Sequence, residues 1–259
     1  MSPPIQPFYG CLCLETASSG NSLAQASARG VDPEVHFNIW EEGIDTTPFL
    51  DIGVMLDATE PAENIEIFLP WPLDRAKIED LSARILGSNG VSAIFNEVWA
   101  SATSPSTPGG AVTRSNGSLL AIIPLDQPEV KVRQTTLGVL HSIVLTVKQL
   151  RDGANAVCQA TAQKNAQQMY VRFRVKDVPQ HFYRVGIDQG DAFGGGALNR
   201  TEIIDFRVNV RRGVPPTIEA ILHGRFVQFS KVQLFLMKSR DQDIVFEDKL
   251  FRGMSIIER

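Results

Sequence analysis

The chain predicts a mainly β, α+β protein: antiparallel sheets arranged as a β-sandwich, with a few helices, one of them near 74–86. Three observations carry this. Apolar and polar residues alternate with period two through much of the first half, turn-rich stretches separate the alternating runs, and one segment there repeats its apolar residues at helical spacing instead.

In EVHFNIW, Val35, Phe37 and Ile39 share a face. In FLDIGVMLD the set is Leu50, Ile52, Val54 and Leu56, opposed by Asp51 and Asp57, and in NIEIFLP it is Ile65, Ile67 and Leu69. One buried and one wet face is the mark of an antiparallel sheet. The segment PLDRAKIEDLSARILGSNG places Ile78, Leu81 and Ile85 on one stripe, with Asp74 as N-cap, an Asp80–Arg84 pair and Gly87 as stop, so a helix lying on a sheet is expected. VSAIFNEV then reads as a strand.

Residues 100–118 carry no large hydrophobe except Val112 and read as the clearest loop. LLAIIPL and EVKVR follow as strands. TLGVLHSIVLTVKQL fits both periodicities, and its β-branched density favours a strand. NAVCQATAQKNAQQ favours a helix. YVRFRVKDV sets Val171, Phe173 and Val175 against Arg172, Arg174 and Lys176. TEIIDFRVNVRR sets Ile204, Phe206, Val208 and Val210 against Asp205, Arg207, Asn209 and Arg211. TIEAILHG is a short helix or turn after Pro215-Pro216, and FVQFSKVQLFLMK with DIVFEDKLF closes the chain as a hairpin.

A chain of 259 residues forms one large domain or two closely packed β-rich halves. The candidate boundary is loop 100–118, between an acidic half (1–99) and a basic half (119–259). Residues 1–125 hold 15 acidic and 5 basic side chains, and residues 126–259 hold 14 and 20. If the halves also separate in space, the molecule carries a directed field; if they interleave, the charges mix. No apolar run reaches the ~18 residues of a membrane span, and the first residues do not read as a secretory leader, so the expected location is cytoplasmic. Cys11, Cys13 and Cys158 are too few for a disulfide framework. The CLC run sets two thiols on one strand face without a second pair for zinc.

The glycine loop DQGDAFGGGALNR (188–200) lacks the Lys-Ser/Thr and the helix start of a phosphate cradle. It reads first as a flexible strand connection, with Arg200 and the consecutive glycines as an anion contact in second place. The basic strand faces are the main candidate site. Arg172, Arg174, Lys176, Arg207 and Arg211, with Arg200 nearby, form a positive patch if their strands are neighbours, and such a patch demands an anionic counterpart or full solvation. That counterpart is a protein partner, a nucleic-acid backbone or the chain's own acidic half; the overall acidity disfavours nucleic acid. His36, His141, His181 and His223 are scattered and form no metal or nucleophile motif. No catalytic residue, metal ligand or cofactor is assigned. The expected function is a non-catalytic binding or assembly subunit that docks through charged sheet surfaces onto a protein partner or copies of itself. The rivals are a metal-dependent nuclease or phosphodiesterase centred on Asp243, Glu247 and Lys249, and a nucleotide- or nucleic-acid-binding module on the basic strands.

Overall fold

The computed structural model describes residues 10–16, 32–41, 47–87, 90–95, 99–103, 109–126, 128–135, 138–163, 165–187, 201–210, 214, 216–219, 222 and 225–237. The alternating runs of the first half become strands β1 (Leu12–Thr16), β2 (Glu34–Trp40), β3 (Phe49–Asp57) and β4 (Asn64–Leu69). A 3-10 turn at Arg75–Lys77 leads into β5 (Ile78–Asp80), α1 (Ser82–Leu86) and α2 (Gly90–Phe95). Then come β6 (Trp99–Thr103), β7 (Gly110–Arg114), β8 (Leu119–Ile123), β9 (Glu129–Thr135) and β10 (Gly138–Thr146). α3 (Val147–Ala160) precedes β11 (Gln168–Val175), β12 (Arg184–Ile187), β13 (Thr201–Ile204), α4 (Pro216–Glu219), β14 (Arg225–Phe226) and β15 (Lys231–Met237).

Two larger sheets face each other. One has five antiparallel strands in the order β14-β1-β4-β10-β9. The other runs β15-β2-β3-β11-β8-β7-β6, with β5 pairing the far end of β11, and its β15·β2 and β11·β8 pairs are parallel. Between them lie the predicted inward residues: Val35, Phe37 and Ile39; Leu50, Ile52, Val54 and Leu56; Ile65, Ile67 and Leu69; Val171, Phe173 and Val175. Cys11 and Cys13 join the same core as free thiols, and burial first, then the neighbouring Cys13, pushes the Cys11 thiol well above its ordinary pKa. α3 closes the core beside β7 and β8 with Val147, Leu150, Ala154, Val157 and Cys158, an apolar stripe at helical spacing.

Both sheets draw strands from before and after residues 100–118. β3 pairs β11 and β4 pairs β10, so acidic and basic segments interleave. The stretch expected as a loop is largely a hairpin of β6 and β7, and Gly110, Ala111 and Val112 are buried where β7 pairs β8. Small side chains hid this strand, because alternation of alanine, serine and glycine carries little hydrophobic contrast.

The expected helix over 74–86 is divided. Asp74 does cap a turn, accepting from the Ala76 amide, but Ile78–Asp80 then extends along β11 opposite Phe173–Val175. β8 pairs β11 only as far as Val171, and β5 takes the edge left beyond it, so tertiary pairing overrides helical spacing. Asp80 accepts from the Ser82 amide and hydroxyl and from the Leu125 amide, and Arg84 pairs Glu79 instead. VSAIFNEV, expected as a strand, supplies α2. Val91 and Phe95 pack with Ile85 of α1 on the outer face of the eight-stranded sheet, over Met55, Val112, Leu120, Ile122 and Tyr170. TLGVLHSIVLTVKQL satisfies both of its templates in turn, as strand to Thr146 and helix from Val147.

Of the segment expected to form one strand over 201–212, the described residues keep strand form only in β13, which pairs β12 rather than β11. Beyond it, residues 207–209 dock on the edge of β1: the Cys11 amide donates to the Arg207 carbonyl and the Asn209 amide to the Cys11 carbonyl. Asn209 holds φ +56°, accepts from the Cys13 amide at 2.6 Å and donates to the Val227 carbonyl at 2.7 Å. The left-handed backbone costs any residue but glycine, and asparagine tolerates it best. Asn209→Ala, which loses both bonds and keeps the strain, is expected to lower unfolding free energy by on the order of 2–3 kcal/mol. Asn209→Gly relieves the strain and should cost less; urea denaturation of both variants checks the order.

Candidate functional site

β11 presents Arg172 and Arg174 on the side away from the main core, as the alternation predicts, and Lys176 follows just beyond its end. That side is not open to water throughout. α1 and α2 lie over part of it, and Arg172 is 3% exposed. A guanidinium held there needs partners on every side. Its Nη1 donates to the Tyr170 hydroxyl at 3.1 Å, and its Nη2 lies 3.6 Å from Asp51 Oδ2. With the Asn38 amide turned so that its nitrogen donates to the Phe37 carbonyl, the Asn38 oxygen accepts from Arg172 Nη2 at 2.9 Å.

Asp51, 2% exposed, is the hub of this network. Arg174 grips it with two bonds, Nε to Oδ1 at 2.7 Å and Nη2 to Oδ2 at 3.1 Å, and Trp40 Nε1 donates to Oδ2 at 2.9 Å. The Arg174 guanidinium lies 3.7 Å from the centre of the Phe49 ring and 5.7 Å from that of Trp40. Such a planar, weakly hydrated cation suits this half-buried place in a way that lysine does not.

Toward the end of β11 the cations are more exposed. Lys176 bonds Glu79 Oε2 at 2.8 Å, and Arg84 of α1 bonds Oε1 of the same carboxylate at 2.9 Å. The Lys176 hydrogen bond, helped by Arg84 and Arg174, holds the Glu79 carboxyl below its ordinary pKa.

Gly53 makes room for the network. It stands opposite His36 on β2 and Arg172 on β11, and a Cβ built there would lie 2.0 Å from the Tyr170 hydroxyl oxygen. The phenol therefore folds across the strand where a side chain would stand. Tyr170 also meets His36, whose Nδ1 is 3.3 Å from its oxygen.

The expected patch is thus divided. Arg172, Arg174 and Lys176 are together but answered by Asp51 and Glu79, both from the acidic half. Arg207 is apart from them and pairs with Asp205 on its own segment. Arg200, Arg211 and the glycine loop 188–200 lie outside the described residues, as do Asp243, Glu247 and Lys249. Among the described residues no group of three His, Cys, Asp or Glu side chains is placed to hold a metal ion, and no helix is long and apolar enough to cross a membrane. Sequence reading missed Asn38, Trp40 and Asp51 as partners of the arginines and His36 as a partner of Tyr170. Their strand positions were visible, but the signal they carry appears only once β2, β3 and β11 are known to be neighbours.

A second feature lies at the sheet margin. Among the described residues β15 has β2 as its neighbour on one side and ends the strand order; DIVFEDKLF, expected to pair with it as a hairpin, lies outside them. Val232, Leu234 and Leu236 stand in register with Val35, Phe37 and Ile39, hence on the core-facing side. Leu236 packs against the core, but Val232 is 48% and Leu234 41% exposed.

No family model, curated protein or solved structure matches the chain.

Removing one partner of a buried ion pair leaves an uncompensated charge. Asp51→Ala is expected to cost about 3–5 kcal/mol by urea denaturation. Gly53→Ala is expected to cost about 1–3 kcal/mol through overpacking against Tyr170.

Proposed function

We propose that this protein is a non-catalytic binding or assembly subunit that docks through a sheet margin onto a second copy of itself. The observation that supports this most is the exposed row Val232–Leu234, an extension of the core-facing surface at the strand that is outermost in the eight-stranded sheet among the described residues. A strand at a sheet edge is a template for another strand, and soluble proteins usually blunt such edges with charge or cover them. β9, at the edge of the other sheet, follows that rule: its exposed Val132 stands between Lys131 and Arg133. β15 carries one charge, Lys231 at its start.

The sequence of β15, KVQLFLM, suits a two-fold partner. Antiparallel pairing about Leu234 sets Leu234 against its own copy, Val232 against Leu236, and Gln233 against Phe235. Lys231 then meets Met237, so no like charges are opposed. This contact is isologous and closes as a dimer, unlike the head-to-tail contact that opposed charged halves would make. The docking surface is accordingly apolar, since Arg172, Arg174, Lys176 and Arg207 are engaged by Asp51, Glu79 and Asp205.

Sedimentation equilibrium of the wild type and Leu234→Lys is the test. The wild type is expected to dimerise with little dependence on salt, because exposed ion pairs contribute little to the contact. Leu234→Lys is expected to be monomeric at the same concentrations with its circular dichroism unchanged. A wild type that remains monomeric at every concentration, or a variant that dimerises equally well, overturns the reading.

A further inference from the structure

We propose that His36 is an acid-operated latch on the cap formed by α1 and α2: protonating its imidazole releases the cap from the outer face of the eight-stranded sheet. The inference stands apart from the dimer contact, which uses the sheet margin at β15.

The hydrogen-bond directions around Tyr170 carry the argument. Arg172 has donors alone, so the phenol oxygen accepts from its Nη1 at 3.1 Å. The hydroxyl proton is left to point at His36 Nδ1, 3.3 Å away, which must therefore be the bare nitrogen of a neutral imidazole. The ring proton then resides on Nε2. That atom has no hydrogen-bond partner and lies 3.7 Å from Glu34 Oε2, an ion-pair distance rather than a hydrogen bond. Protonation turns Nδ1 into a donor, so two protons confront each other between imidazole and phenol.

The surroundings offer the new charge little compensation. The imidazole is 1% exposed, and the Phe95 ring of α2 covers it edge-on at 5.5 Å between centroids. Phe95 also packs edge-on against Tyr170 at 4.9 Å and tilted against Trp99 at 5.3 Å, so it fastens the cap to this spot. Among the described residues, β2 contributes Glu34, which Lys231 of β15 approaches to 3.9 Å. β11 contributes Arg172 and the Tyr170 phenol, the latter with its pKa raised chiefly by burial. Asp51 of β3 is held by Arg174, Arg114 of β7 lies over Trp99, and Arg84 of α1 is held by Glu79. α2, with sequence GVSAIF, brings no ionisable side chain. Glu34 alone favours the imidazolium at close range, against burial and Arg172. Burial, then Arg172 and Lys231, lower the pKa of His36, with Glu34 opposing.

The sign follows. The closed form binds the proton less readily than a solvated histidine, whose pKa is about 6.5. Cap closure is therefore favoured above that value and weakens as pH falls below it. His141 has a lowered pKa as well, again through burial first, and serves as the control.

Amide hydrogen exchange of the full chain, read by mass spectrometry at about pH 7.5 and about pH 5.5 and corrected for intrinsic rates, tests the latch. In the wild type, exchange across residues 90–95 should accelerate by up to about tenfold at the lower pH. His141→Gln should keep that response and His36→Gln should lose it. Glu34→Gln, which removes the compensating carboxylate and keeps the imidazole, should enlarge it and decides the matter if His36→Gln does not fold. Equal protection at both pH values, a response that survives His36→Gln or vanishes with His141→Gln, or one that Glu34→Gln leaves unchanged, would overturn the proposal.

Discussion

Two arginines on one buried strand face impose a requirement that the rest of the eight-stranded sheet meets. Arg172 and Arg174 cannot give up a proton, so once the helical cap takes this face from water, a carboxylate and several acceptors must come with it. Asp51 meets that demand from β3, with Tyr170 and Asn38 completing the set around Arg172. The pairing of β3 with β11 is hydrogen-bonded along its length, but hydrophobic alternation alone allows many partners for β11. Slipping β11 by one residue would send Phe173 into the polar network and Arg172 into the apolar core, which makes the ionic hub a device for register.

The charge imbalance along the chain acquires a different meaning in this light. An acidic first half and a basic second half suggested two opposed surfaces. The fold instead threads the two halves through one another, and the basic row of β11 finds carboxylates from the acidic half on either side: Asp51 through β3 and Glu79 through β5. Another basic–acidic contact repeats the pattern on the five-stranded sheet. There Arg133 of β9 reaches Glu66 of β4, a buried carboxylate that also accepts from Ser142, while its guanidinium lies 4.9 Å from the centre of the Phe68 ring. Much of the imbalance is thus internal bonding between segments distant in sequence.

The strongest alternation was the most legible. β2, β3 and β4 were readable to within a residue because Val, Ile, Leu and Phe recur at every second position with polar residues between. Their outer faces were misjudged as wet: the chain called for one helix lying on a sheet, but not for two short ones over the outer face of the eight-stranded sheet. Ile78, Leu81 and Ile85 have helical spacing, yet β11 offered an unpaired edge to Ile78, and an edge outweighs a few tenths of a kcal/mol of helix propensity per residue. The β6–β7 hairpin was illegible for the opposite reason: its residues are too small to declare a side. The basic residues of the candidate site were found, but the partners that define their role became visible only with strand neighbours known.

β1 is made well before the segments that complete it. One of its edges is served by β4, but the other is closed by residues 207–209 and by β14, close to two hundred positions later. During synthesis this apolar strand, with Cys11 just before it and Cys13 between its leucines, must wait for residues 207–209 and β14 to emerge before its ladder can close. Contacts of such long range slow folding and prolong the exposure of sticky intermediates. The completion of the five-stranded sheet is therefore tied to the arrival of the later segments, and a chain released too early leaves β1 half bonded.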